Sequence, residues 1–228
     1  MVPRQVKAAY YLLMAIPLWL SGRWYRVFRA PRQGIVRVHL GSGQVHYIPG
    51  WINLDANMIS ARADVRADLR HALPFHDSTV DAFYSHHVIE HLTNTDLIAL
   101  LHDIHRCLKP GGVVRLAGPH GDMAMRQYIA GNHAWFSDFP ENRRSLGGRL
   151  ANFLLCQGEH LAILTPGYLE ELLIDVGFDA IRSAAPVTLT HHPDRFGPEV
   201  LDREHETTPE APHTLVMEAV KPGKLQNL

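Results

Sequence analysis

The feature that most constrains this chain is a short strand that runs straight into a glycine turn, Val38-His39-Leu40-Gly41-Ser42-Gly43. Glycines at positions 41 and 43 let the backbone turn tightly and approach a ligand lying beyond the strand end. The next predicted strand, Trp51-Ile52-Asn53-Leu54-Asp55, ends in an acid. A carboxylate at that place can accept both hydroxyls of a ribose. The third glycine of a dinucleotide fingerprint would stand at position 46, which is His46, so a nicotinamide cofactor is disfavoured.

The rest of the chain keeps a strand–helix rhythm. Residues 35–40 and Val80–Tyr84 read as strands. Leu97, Leu100, Leu101, Ile104 and Leu108 form one apolar helical stripe, with Thr95 as the expected N-cap and Lys109-Pro110-Gly111-Gly112 as the stop. Val113–Ala117 is a further strand. A helix is predicted over Pro166–Val176, capped by Thr165, with Gly177 at its left-handed C-terminal position. Ile181–Ser183 and Thr214–Val220 close the series. Such alternation predicts an α/β fold with a parallel, helix-covered sheet. Between Gly118 and Thr165 the rhythm fails, in a stretch rich in His, Arg, Asn and aromatic residues. It reads as an active-site lid or as a peripheral helical hairpin.

Charge is spread unevenly. Lys plus Arg total 22 against 23 acids, a formal charge of −1, which argues against general nucleic-acid binding. Yet no acid precedes Asp55, while Arg4, Lys7, Arg23, Arg26, Arg29, Arg32 and Arg37 do. The apolar run Tyr10–Leu20, broken by Pro17, is shorter than the ~20 residues a membrane span needs. Residues 1–34 therefore form a basic, apolar arm. It either packs on the domain over its core or active-site mouth, or lies through residues 10–32 in a membrane interface. Two cysteines, Cys107 and Cys156, cannot build a disulfide framework and suggest a reducing, cytoplasmic location, with membrane association at the inner face as the variant.

Five blocks stand in order: Leu40-Gly41-Ser42-Gly43; Gly50-Trp51-Ile52-Asn53-Leu54-Asp55; Asp68-Leu69 with Leu73-Pro74-Phe75 and Asp77-Ser78-Thr79-Val80-Asp81; His87-Val88-Ile89-Glu90-His91; and Leu108-Lys109-Pro110-Gly111-Gly112. In this order they resemble the class I S-adenosylmethionine-dependent methyltransferases of the type 11 branch. Matching stretches cover about half of the chain. The resemblance implies a Rossmann-like, doubly wound, mostly parallel sheet of about seven strands with the last antiparallel, over residues 35–228, with 119–165 inserted as a substrate lid. It implies S-adenosyl-L-methionine as cofactor and S-adenosyl-L-homocysteine as product. Gly41, Ser42 and Gly43 would form the turn under the methionine part, Asp55 would bind the ribose, and Asp68 with the Leu69 backbone would face the adenine. Ser85, His86 and His87 would lie near the methyl sulfonium. The chain departs from the family at His39, where an acid is usual, and at Val45, where a glycine is frequent; the latter implies a short or irregular first helix.

Sixteen histidines invite a metal reading. His87-Val88-Ile89-Glu90-His91 has the HxxEH pattern of an inverted zinc peptidase, but it follows a strand rather than sitting inside a helix, so no metal is expected. Methyl transfer rests mainly on alignment and water exclusion, and a hydroxyl acceptor gains from a general base. His87, His120 and His160 are the expected catalytic candidates, and Trp135 and His160 the expected acceptor contacts. The expected activity is methylation of a small-molecule, secondary-metabolite or glycan acceptor. The competing readings are a non-catalytic binding protein on this fold, docked to a membrane or partner, and an NAD-type oxidoreductase.

Overall fold

Residues 4–223 are described by a computed structural model; residues 1–3 of the arm and 224–228 of the domain lie outside the described residues. The arm is one helix, α1 (Arg4–Phe28), which continues through Pro17. Strands β1 (Arg37–Leu40), β2 (Ile52–Asp55), β3 (Val65–Arg66) and β4 (Val80–His86) follow, then α2 (Asn94–Cys107) and β5 (Leu108–Pro119). Helices α3 (Gly121–Ile129), α4 (Leu146–Leu155) and α5 (Pro166–Val176) precede β6 (Asp179–Ala184), a single turn α6 (Pro198–Leu201) and β7 (Thr214–Val220).

The seven strands make one sheet in the order β3-β2-β1-β4-β5-β7-β6. All pair in parallel except β7, which runs antiparallel to both β5 and β6. Alternation along each strand sends Val38, Leu40, Phe83, Val114 and Leu116 to one face, where α2 and α5 bury Leu97, Leu101, Ile104, Leu169 and Leu173 against them. The other face carries Tyr84, Ala82 and Val113 under Trp51, Phe196 and Val200. That face also buries an ion cluster. The Arg115 guanidinium donates to both carboxylate oxygens of Glu204 at 2.8 Å and to Glu218, and none of the three side chains is exposed. The Val187 N–H also donates to Glu204 Oε2 and the His191 N–H to Glu218 Oε2, so the cluster pins the segment between β6 and β7 onto the sheet.

Local chemistry explains where elements begin. Thr93, not the expected Thr95, caps α2, because its hydroxyl reaches the Asp96 N–H at 3.2 Å while Thr95 already lies inside the helix. Thr165 and Gly177 cap α5 as expected, with Gly177 at φ 101°. The short or irregular first helix expected from Val45 is absent: the chain makes only turns between β1 and β2. The irregular stretch 119–165 holds α3 and α4, which pack on each other around Trp135, Phe136 and Phe153.

Candidate functional site

The carboxyl ends of β1, β2 and β4 meet at the glycine turn. Gly41 has φ 74°, its N–H donates to the Leu54 carbonyl at 2.8 Å, and a Cβ there would sit 2.2 Å from Val88 Cγ2. Only glycine meets both demands. The Gly43 N–H donates to Asp55 Oδ2 at 2.8 Å, and the Asn57 N–H to Oδ1 at 2.7 Å. Each carboxylate oxygen retains acceptor capacity, so Asp55 is held in place at the strand end and can still take a diol. At the end of β4, Ser85 Oγ and His86 Nε2 are buried with no hydrogen-bond partner among the described residues. Burial pulls the His86 imidazole down to about 2, so it is neutral and can accept or donate a single bond.

Helix α1 walls this region. The Tyr10 hydroxyl donates to the Ala56 carbonyl at 2.9 Å and accepts from the Met58 N–H at 2.7 Å, fixing the loop after β2. The Arg70 Nε–H is shared between both Asp68 carboxylate oxygens and Nη2 donates to Oδ2, and the Arg70 guanidinium lies 4.2 Å from the centre of the Tyr11 ring. Burial works to raise the Asp68 carboxyl, but the Arg70 bonds and charge outweigh it, and the net direction is down. Asp68 borders a cavity of about 280 Å³ between α1 and residues 67–74, lined also by Leu18, Trp19, Gly22 and His71. Helix α1 thus packs along residues 56–74 and leaves its other face exposed. Leu69 is buried in the main core, leaving its backbone for any adenine contact.

A second cavity, also of about 280 Å³, opens between the end of β4 and the stretch after α4. His87, Glu90, His91, Cys156, Glu159 and His160 line it. His87 Nδ1 lies 3.1 Å from Glu90 Oε1, and the carboxylate is almost fully buried. His160 is half-buried and stacks edge-on against His91 with ring centres 5.0 Å apart. Burial holds its imidazole below the usual range, so it is in the basic form at neutral pH. Lys7 of α1 pairs with Glu159 across the cavity.

Two expected site residues, Trp135 and His120, are engaged differently from the roles expected of them. Trp135 is buried in the α3–α4 core, its indole N–H donating to the Ala211 carbonyl at 2.7 Å and its ring stacked on His213, so it packs the insertion rather than an acceptor. His120 caps α3: its Nδ1 accepts from the Met123 N–H, which occupies the lone pair a general base needs. Ser42 is fully buried and its hydroxyl donates to the Arg62 carbonyl at 2.7 Å, bracing the turn from below. His39, standing where the family has an acid, is buried and paired with Asn53 Oδ1 at 3.1 Å, and burial lowers it to about 4. Sequence reasoning missed Lys7, Tyr10, Tyr11 and Arg70 as walls of the site, because nothing local to α1 shows which loop it covers. Glu90 and His91 were visible in the HxxEH pattern, and only the fold shows that they face His160.

Comparison with known proteins agrees with this architecture. Residues 41–116 match the model of a family described as methyltransferase domain. A curated malonyl-[acyl-carrier protein] O-methyltransferase from Dechloromonas aromatica is 31% identical over 132 residues, which is 57% of this chain and 40% of the relative. The chain therefore spans well under half of that relative's length. An S-adenosylmethionine-dependent methyltransferase from Mesorhizobium loti superposes with a TM-score of 0.50 at 21% identity, covering 89% of this chain and 99% of that one. Another from Thermotoga maritima gives 0.50 at 13% identity over 95% of both chains. The fold is that of the class I S-adenosylmethionine-dependent methyltransferases. The methyltransferase-domain match within it covers residues 41–116, a third of the chain.

S-adenosylmethionine fits the residues present. Gly41 and Gly43 leave room at the strand end, Asp55 offers acceptors for a ribose, and the unpartnered Ser85 and His86 atoms at the end of β4 offer further polar groups.

Proposed function

We propose that this chain transfers a methyl group from S-adenosyl-L-methionine to a small-molecule, secondary-metabolite or glycan acceptor and releases S-adenosyl-L-homocysteine. The observation that carries the reading is the histidine-lined cavity at the end of β4, beside the glycine turn. The cofactor supplies an activated methyl on a sulfonium. The chain's own task is to hold Asp55 and the turn in place, to exclude water through α1 and the 119–165 insertion, and to take a proton from an acceptor hydroxyl. His160, kept neutral by its surroundings, is the preferred residue for that proton, with His87 beside it. The Dechloromonas relative is named for O-methylation, which agrees with an oxygen acceptor. Calorimetry with S-adenosyl-L-homocysteine and with NAD tests the reading: binding of the first alone is expected. Asp55→Ala should weaken it by about 1–3 kcal/mol, the cost of unpaired polar groups. Unchanged affinity in the folded variant removes Asp55 from the cofactor site.

We further infer peripheral contact with an anionic membrane, at the inner face in a reducing compartment where Cys107 and Cys156 stay unpaired. No described helix is long and apolar enough to cross a membrane. Helix α1 instead exposes Leu12, Leu13, Ile16, Trp19, Trp24 and Phe28, with Leu12 at 80% and Ile16 at 71% exposure. An apolar face flanked by Arg23, Arg26, Arg29 and Arg32 matches an interfacial helix on acidic headgroups. Flotation with phosphatidylglycerol vesicles should carry the protein up, neutral vesicles should not, and Leu13→Glu/Ile16→Glu should abolish flotation. Equal recovery with both vesicle types would discard the lipid reading.

A further inference from the structure

The cavity at the end of β4 has a donor arrangement that methyl transfer does not require. One ligand-capable atom each of Glu90, His91 and His160 lies within 4.8 Å of the other two. Both imidazoles are oriented through their other nitrogen. His91 Nδ1 is 3.0 Å from the Glu159 carbonyl, and His160 Nδ1 is 3.2 Å from the Leu154 carbonyl. A carbonyl only accepts, so each Nδ1 carries the proton and each Nε2 keeps its lone pair. Metal-binding histidines are fixed in this way, by giving the remote N–H to a carbonyl or carboxylate. Glu90 is fixed as well, since His87 Nδ1 holds its Oε1 at 3.1 Å. Its Oε2 is buried and has no hydrogen-bond partner among the described residues, and the side chain is only 1% exposed.

Two lone pairs and a carboxylate therefore converge on one space with no donor between them. Gathering a buried carboxylate and two imidazole lone pairs in one place is unfavourable unless a cation or a proton sits among them. Lys7, the nearest fixed cation lining the cavity, is already paired with Glu159. We propose that Glu90, His91 and His160 bind a divalent transition-metal ion of the zinc type, with the remaining coordination positions open to the cavity. Two imidazoles and one carboxylate are a donor set for such ions, and open positions mark a site that takes a further ligand. Ligands about 2.0–2.2 Å from zinc stand roughly 3.4 Å apart in a tetrahedron, so the site closes by about an ångström as the ion enters. His91 and His160 are half-exposed or half-buried rings on the cavity wall, where a movement of that size needs no change in the core. The sequence expectation of no metal rested on the HxxEH pattern lying outside a helix; the third donor comes instead from the segment after α4.

The inference rests on the methyltransferase reading only for the ion's use, which is to hold an acceptor oxygen and lower its pKa beside the cofactor, in place of proton transfer to His160, whose Nε2 lone pair the ion takes. The binding itself is tested without cofactor or acceptor. Tag-free, chelator-stripped protein is titrated with Zn2+ and with Co2+, following heat and the visible ligand-field bands of cobalt. One ion per chain is expected. His91→Ala, His160→Ala and Glu90→Gln should each weaken binding at least tenfold, while His102→Ala, an exposed histidine on α2, should leave it unchanged. Circular dichroism verifies the fold of each variant, and the exposed His91 keeps the test open if Glu90→Gln unfolds. Absence of a stoichiometric site overturns the proposal. So does a site that persists in the folded His91 and His160 variants, which would place the ion elsewhere among the histidines. Failure to bind S-adenosyl-L-homocysteine in a separate titration would sink the methyltransferase reading and leave the ion site standing.

Discussion

Single side chains separate the two jobs of the site. His160 faces the cavity and Asp55 faces the glycine turn, so their substitutions should divide cleanly. His160→Ala is expected to lower turnover on the true acceptor at least tenfold while leaving S-adenosyl-L-homocysteine affinity within about twofold, because His160 acts on the acceptor oxygen, either by taking its proton, worth ~10²–10⁴-fold, or through the ion it holds. A parallel fall in cofactor affinity would place His160 in the cofactor site instead. Away from the chemistry, Arg115 sits between Glu204 and Glu218 in a fully buried cluster. Removing one partner strands buried charge, so Arg115→Ala should cost about 3–5 kcal/mol in denaturant melts. Replacing all three by apolar residues of similar volume should recover most of that loss. None of this was legible locally: Arg115 reads as an ordinary strand residue, and its partners lie 89 and 103 positions away.

At the scale of elements, α5 was legible to the residue because Thr165, Pro166 and Gly177 are each strong local signals. Thr165→Ala is expected to cost about 1 kcal/mol, the usual worth of an N-cap, and thermal melts will show it. The shifted cap of α2 has a simple cause: Thr93 and Thr95 both suit the position, and the choice falls to the hydroxyl that reaches Asp96 N. The strand–glycine–acid series was legible because it carries its own turn chemistry. Strand β3 was not, since its two residues, Val65 and Arg66, are too few to show a period. Helices α3 and α4 were obscured by Gly121, Gly147 and Gly148, which weaken helical propensity, and are held by the Trp135 cluster instead. Helix α1 shows the limit most clearly. Its sequence gives an apolar, basic face but not the loop that Tyr10 grips. Tyr10→Phe removes a hydroxyl bonded to Ala56 and Met58. It should loosen residues 56–60 in hydrogen exchange and weaken S-adenosyl-L-homocysteine binding by about 1 kcal/mol, one hydrogen bond's worth.

Over the whole molecule, the histidines decide how the fold responds to acid. Burial keeps His39 down at about 4 and His86 at about 2, and it also lowers His46, His120 and His160. In the unfolded chain each returns to ~6.5. Between those values the unfolded state binds more protons than the folded one, so stability rises with pH. The contribution of these groups is therefore complete above about pH 6.5 and falls away as the pH drops toward 4, at up to ~1.4 kcal/mol per pH unit for each proton taken up. Carboxylates held low by their partners act in the same direction further down: in Asp68 and Glu90 burial pushes the pKa up, but the Arg70 and His87 contacts bring it below the ordinary value. Their contribution is present above the usual carboxylate range and is lost beneath it. The two sets reinforce one another, so the melting temperature should decline steadily from pH 7 to pH 4.5 rather than hold a plateau. His39→Asn, which keeps a polar partner for Asn53, should flatten the upper part of that decline. A melting temperature that stays level from pH 7 to 5 would mean that these imidazoles already titrate normally in the fold, and that their burial is relieved by solvent.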